Sequence, residues 1–268
     1  MPPELYFVVS AVFHYLGPSF AVLLFARVPV LGVAWLRIAT ASVVFAAWRR
    51  PWRVLGEPVV LAWGVVLALM NCCFYAAISR LPLGTVAAIE FLPVIALAAL
   101  GAHTPRNAVA LMLAVGGVYL LTDVRLAGAP LGLAFAFANA LLFAAYIVLA
   151  DRVAKLKGQA PLDSLAAAML IAAAVVTPLA GPPAAGALSD PVALAAGAGV
   201  GVSSSVIPYV TDQLALARLP RATYALMISL LPAVATVIGL VVLAQIPNAT
   251  EAAGVALVVA GVAAHRAP

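Results

Sequence analysis

The sequence predicts an all-α polytopic membrane protein, with ten transmembrane helices arranged as two inverted five-helix repeats around a central cavity. Three observations carry this expectation. The 268-residue chain is 66% hydrophobic and 9% charged, whereas soluble domains carry roughly 25% charged residues, so a water-facing globule could not cover its surface. Apolar stretches recur almost without pause, and about 20 apolar residues cross a hydrocarbon core. The roughly 10-residue alternating strands of an outer-membrane barrel are absent. Finally, Arg80-Leu81-Pro82 returns 138 residues later as Arg218-Leu219-Pro220, and each copy opens an apolar segment with an internal proline, Pro93 and Pro232.

Charges, prolines and glycine clusters divide the chain into spans 5–25, 29–48, 58–79, 83–100, 106–122, 129–150, 162–179, 192–216, 220–244 and 250–265. The first begins without the positive n-region and small-residue cleavage site of a signal peptide, and reads as a retained span. It holds His14 and Tyr15 just before Gly17 and Pro18. Pro18 removes a backbone donor, so the helix can bend and expose polar backbone. His14 reads either as a substrate-binding or titrating group or as hydrogen-bonded packing. Arg37 in the second span is either an attractor for a carboxylate or, the stronger reading, a structural ion-pair partner or snorkelling cation.

Asn71 and Tyr75 lie four apart on one face of the third span. Between them, Cys72 and Cys73 are adjacent, lack metal-ligand spacing and read as small space-fillers. Glu90 stands about two turns into the fourth span, before Pro93. A charge there costs on the order of 3 kcal/mol, so it is protonated, paired with Arg37, or facing water beside a substrate ammonium. The sixth span offers Asn139 and Tyr146, and the longest polar connector follows from Asp151 to Asp163.

In the eighth span, Gly197, Gly199 and Gly201 suit close helix approach, followed by Ser203, Ser204, Ser205, Pro208, Tyr209 and Gln213. Asp212 is expected to pair with Arg218 or Arg221. Tyr224 and Met227 in the ninth span share a face suited to an apolar or aromatic side chain. Pro18, Pro93, Pro208 and Pro232 are either gating hinges or static kinks. Trp35, Trp48, Trp52 and Trp63 read mostly as interfacial anchors.

Orientation follows from the Lys and Arg residues. With a cytoplasmic N-terminus, ten fall in inside connectors and three in outside ones, so both termini are expected in the cytoplasm. Arg80 and Arg218 precede spans four and nine, an offset of five. An odd offset turns the second unit upside down, the symmetry transporters use to alternate access around a shared site. The repeats are expected at residues 1–125 and 126–268. The register sets Asn71 against Tyr209, Tyr75 against Gln213, and His14 against Asn139. RNAVALMLAVGGV (106–118) likewise resembles TEAAGVALVVAGV (250–262). Such symmetric polar faces read as a substrate pathway, or as interhelical glue worth roughly 1 kcal/mol per contact.

The net charge of +5 sits in short connectors rather than on one face, which argues against nucleic acid. No HExxH, Walker A loop or G-x-S-x-G occurs, so neither catalysis nor a cofactor is expected.

In order and spacing these motifs resemble the drug/metabolite transporter superfamily, in its ten-helix branch of two EamA-type repeats. The carriers are Arg37 in AWLRIATA, FYAAISRLPLGTVAAIEFLPVIALAAL, YVTDQLALARLPRATYALMISLLPAVATVIGL and the terminal GVALVVAGV. The resemblance covers essentially the whole chain. It implies helices one to four and six to nine around the cavity, with five and ten peripheral. It also implies a monomer in the bacterial inner membrane, carrying small molecules. Members export amino acids and other metabolites, carry nucleotide sugars or phosphates, or extrude cations, and this short form is most similar to aromatic amino-acid exporters. An extruder of organic cations, with Glu90 as charge partner, is the alternative. The chain departs from the family in one place: Gln245 stands where the ninth helix often ends in an acidic residue.

Overall fold

Among the described residues of this computed structural model, regular structure is helical throughout. The structure describes residues 3–49, 51–101, 104–126, 128–156, 160–216, 218 and 230–264, and some side chains within them, Gln213 included, lie outside that description. The first half comprises α1 (Pro3–Leu24), α2 (Val30–Trp48), α3 (Pro58–Ile78), α4 (Leu83–Gly101) and α5 (Pro105–Leu126). The second comprises α6 (Pro130–Ala154), α7 (Pro161–Leu188), α8 (Pro191–Gly201), α9 (Ile207–Leu216), α10 (Leu231–Leu243) and α11 (Ala249–Ala264). A π-helical turn, Val202–Val206, joins α8 and α9 into one span. The expected elements therefore stand in the expected order. Six spans are long and apolar enough to cross a membrane, and the others are shorter apolar helices.

Proline opens many of these helices. Pro58, Pro130, Pro161 and Pro191 occupy first-turn positions, where the missing N–H would have lacked an intrahelical partner anyway. Side chains satisfy other starts. The Asp190 carboxylate accepts from the N–H groups of Val192 and Ala193 at 2.9 and 3.2 Å. Asn248 and Glu251 cap α11 reciprocally at 3.0 and 2.8 Å, the capping-box arrangement. Thr104 caps α5 through the N–H of Asn107 at 3.2 Å, at the matching place in the first repeat.

Two elements differ from expectation. The seventh span was expected to stop at 179, yet α7 runs to Leu188 through Pro178, Pro182 and Pro183. Membrane helices tolerate internal proline where neighbouring helices cover the freed backbone, and here α7 packs along α2 and α3. Pro232, expected inside the ninth span, occupies the first turn of α10, so within the described helix it kinks nothing.

The helices pack in pairs: α1 with α9, α2 with α7, α3 with α6, α4 with α10, and α5 with α11. In span numbers these are one–eight, two–seven, three–six, four–nine and five–ten. Shifting every span by five maps this set onto itself, as two inverted five-helix units require. The α5–α11 seam is close: a Cβ on Gly117 would stand 2.5 Å from the Gly254 carbonyl oxygen. In α8, Gly197 and Gly201 meet Leu36 and Thr40 of α2, but Gly199 faces open space. Two of the three glycines thus serve close approach, because only they share a face.

The repeated arginines obey the same symmetry. Arg80 donates from Nη1 to the Ala76 carbonyl at 2.6 Å and stacks 5.4 Å above the Phe135 ring of α6. Arg218 donates to the Leu214 carbonyl at 3.2 Å and stacks 5.0 Å above Tyr6 of α1. Each caps its own helix end and grips the first helix of the other repeat. Trp48 and Trp52 are exposed, as anchors should be, whereas Trp63 is buried. Trp35 donates to Thr177 Oγ1 at 2.8 Å, tying α2 to α7.

Candidate functional site

Pro208 shapes the centre of the bundle. It has no N–H, so the carbonyl four residues back, on Ser204, is left without a helical donor. The π turn that precedes it presents that carbonyl and the Ser205 hydroxyl toward α2. Arg37 takes both, donating Nη2 to Ser204 O at 3.2 Å and Nε to Ser205 Oγ at 2.9 Å. Its Nη1 donates to Asn71 Oδ1 at 2.9 Å. Asn71 is anchored in turn by Nδ2 to the Ala34 carbonyl at 3.0 Å. The guanidinium lies 5.6 Å over the ring of Tyr75. Arg37 was expected to sit in an ion pair or to snorkel. Instead it is held by neutral acceptors inside the bundle, and no carboxylate among the described residues pairs with it.

Across the same space, Glu90 of α4 accepts from Asn139 Nδ2 of α6 at 3.1 Å. Arg37, Asn71, Glu90 and Asn139 line a central cavity of about 90 Å³ together with His14, Tyr15 and Pro18. Phe91, Phe143, Tyr146 and Tyr209 line it too, and they also line a larger cavity of about 550 Å³. That vestibule is bounded by Phe7 and Ser10 near the start of α1, Asp151 near the end of α6, Pro161 at the start of α7, and Asp212 near the end of α9. All of these lie at the N-terminal end of α1, so the space opens toward that side.

At the other end, Leu81 and Leu83 belong to the buried core. There Gln245 Oε1 accepts the Leu83 N–H at 2.9 Å, capping α4. Gln245 itself follows Ala244, which closes α10 with a left-handed φ of 52°. Gln245 thus supplies a neutral acceptor that does a helix cap's work.

Of the twelve pathway residues expected from sequence, His14, Tyr15, Asn71, Glu90, Asn139, Tyr146 and Tyr209 line the central cavity. Tyr75 does not. It is fully buried between Phe25, Phe74 and Arg37, whose guanidinium lies over its ring. Ser204 is likewise buried away from the cavity: its side chain packs on Gly17 of α1 and donates to the Val200 carbonyl at 2.6 Å. Gln213's side chain, Tyr224, Met227 and Arg221 fall outside the described residues.

Asp212 was expected to meet Arg218. Its carboxylate instead lies 3.9 Å from His14 Nδ1, beside Ser10 Oγ at 3.5 Å from the same nitrogen. Arg218 is turned away onto Tyr6. Among the proposed hinges, Pro18 lines the central cavity, and Pro208 accepts from Ser10 Oγ at 3.3 Å, joining α9 to α1. Pro93 is within α4.

The sequence reading missed the apolar lining, Met70, Phe74, Phe91 and Phe143. A signal for Phe143 existed: Asn139, Phe143 and Tyr146 follow the helical period along one face. For the others, hydrophobic residues in a hydrophobic helix carry no such mark.

The profile of the EamA-like transporter family matches residues 130–265. The threonine/homoserine exporter RhtA of Salmonella typhimurium (strain LT2) is 32% identical over 240 residues, covering 85% of this chain and 79% of that protein. The protein of the same name from Escherichia coli (strain K12) is 32% identical over 237 residues, with the same coverage. A solved crystal structure 20% identical in sequence matches with a TM-score of 0.64 over 97% of this chain and 96% of its own, a likeness of fold.

Proposed function

This chain belongs to the EamA-like transporter family, a family of transporters rather than enzymes, and we propose that it exports amino acids across a bacterial inner membrane by alternating access. The observation that carries this reading is the pair of opposite charges, Arg37 and Glu90, lining one small cavity while each is held by neutral partners. An amino acid is a zwitterion. Its carboxylate would meet Arg37, whose planar fork suits that group, and its ammonium would meet Glu90. Because the two charges are not bonded to one another, the ligand need break no ion pair to enter.

The substrates best supported are amino acids with small polar side chains, as the relatives named for threonine and homoserine suggest. A second reading, aromatic amino acids, draws support from the aromatic vestibule of Trp63, Phe91, Phe143, Tyr146 and Tyr209. Extrusion of organic cations fits less well, since Arg37 would repel them. Residues 1–125 and 126–268 would form the two repeats that rock about the site, a division supported by the family match over 130–265. With both termini cytoplasmic, the vestibule faces the cell interior, ready to load.

Counterflow in proteoliposomes tests this, with threonine, homoserine, phenylalanine and a lipophilic cation as competitors for a labelled amino acid. The expected result is competition by the amino acids. Movement of the cation, with no amino acid moving or competing, would overturn the reading. Collapsing a pH gradient is expected to leave substantial flux, as facilitated diffusion requires; complete dependence on the gradient, abolished in Glu90→Gln, would contradict that.

A further inference from the structure

Asn139 has no exposed surface, yet its carboxamide oxygen makes no hydrogen bond among the described residues. Its nitrogen donates to Glu90, and because a carboxylate accepts there, the amide's orientation is fixed with the oxygen turned away from Glu90. Leaving a buried acceptor unpaired weakens a fold by roughly five- to a hundredfold in its equilibrium constant. Such orphans are uncommon in native interiors and call for an explanation. Asn139 lines the same cavity as Arg37 and Glu90, so the explanation can be a ligand group that supplies the missing donor.

The donor's chemistry is constrained. A carboxylate has no proton to give and is claimed by Arg37. The ammonium belongs with Glu90, on the side of Asn139 that the oxygen faces away from. What remains on an amino acid is a side-chain donor. We infer that Asn139 sets the specificity of this site by accepting a hydrogen bond from the side-chain hydroxyl of the transported amino acid. The inference rests on the amino-acid reading above and adds to it a residue that tells a hydroxyl from a methyl group of the same size.

Threonine and valine make the comparison, since they differ by that one exchange. In proteoliposomes loaded with labelled threonine, wild-type protein should favour external threonine over valine by about tenfold or more, the worth of one buried hydrogen bond plus an acceptor left unmet. In Asn139→Leu that ratio should fall toward one. Asn139→Ala should give the same collapse without adding bulk. Equal use of threonine and valine by the wild type would overturn the inference, whatever the variants do. So would a variant whose threonine and valine fluxes fall together at an unchanged ratio, since that marks a structural or ammonium-binding role. Competition by neither amino acid in the wild type would instead sink the amino-acid reading itself.

Discussion

At Arg37, three neutral acceptors hold a cation that a membrane interior would otherwise reject. Hydrogen bonds to a charged group are worth about 1.5–3 kcal/mol each, so Ser205, Asn71 and the Ser204 carbonyl offset much of the burial cost. The supply of acceptors traces to single residues: Pro208 leaves the Ser204 carbonyl unclaimed, and Asn71 is itself locked to Ala34. A lysine has one nitrogen on a flexible stem and cannot reach all three in the guanidinium's geometry. Arg37→Lys is therefore expected to lower amino-acid flux at least about tenfold while the protein still elutes as a folded monodisperse peak, read by counterflow beside size exclusion. Retained wild-type flux would show that the fork is dispensable.

The helices are positioned by contacts that mostly involve small or capping residues. Gly17 of α1 lies so close to Ser204 that a Cβ added to Gly17 would stand 2.7 Å from the Ser204 Cα, which seats α1 against the π turn. Gln245 bridges the end of α10 and the start of α4 through one bond to the Leu83 N–H. Removing such a cap typically costs about 1 kcal/mol. Gln245→Ala should accordingly lower thermal stability in detergent by a few degrees, whereas Gln245→Glu should match wild type, since a carboxylate suits a helix N-terminus. If both variants melt alike, the cap is not what Gln245 contributes.

Across the whole molecule, the packing α1–α9, α2–α7, α3–α6, α4–α10 and α5–α11 brings neutral polar partners from the second repeat to Arg37 and Glu90 of the first. Arg37 and Glu90 come from α2 and α4, while Asn139, Ser205 and Tyr209 come from beyond residue 130. The vestibule is lined by residues near the α1 N-terminal end. Ala150→Cys, placed on that vestibule in a background with Cys72 and Cys73 changed to alanine, should react with a membrane-impermeant maleimide in inverted vesicles and be protected in intact spheroplasts. The reverse pattern would invert the assigned topology.

Sequence by itself determined the class, the number and order of spans, and the five-span offset that inverts the second unit, because hydropathy and charge are local properties that read along one dimension. It also marked most of the cavity's polar residues, since a polar group in a hydrophobic helix stands out. Tertiary structure alone decided their partners. Arg37 took neutral acceptors rather than a carboxylate, Asp212 turned to His14 rather than Arg218, and Tyr75 and Ser204 went into packing rather than the cavity. Partner choice depends on how far each helix is rotated and shifted against its neighbours, a matter of a few ångströms set by glycine contacts, caps and the π turn. No residue's identity carries that information until the helices are packed.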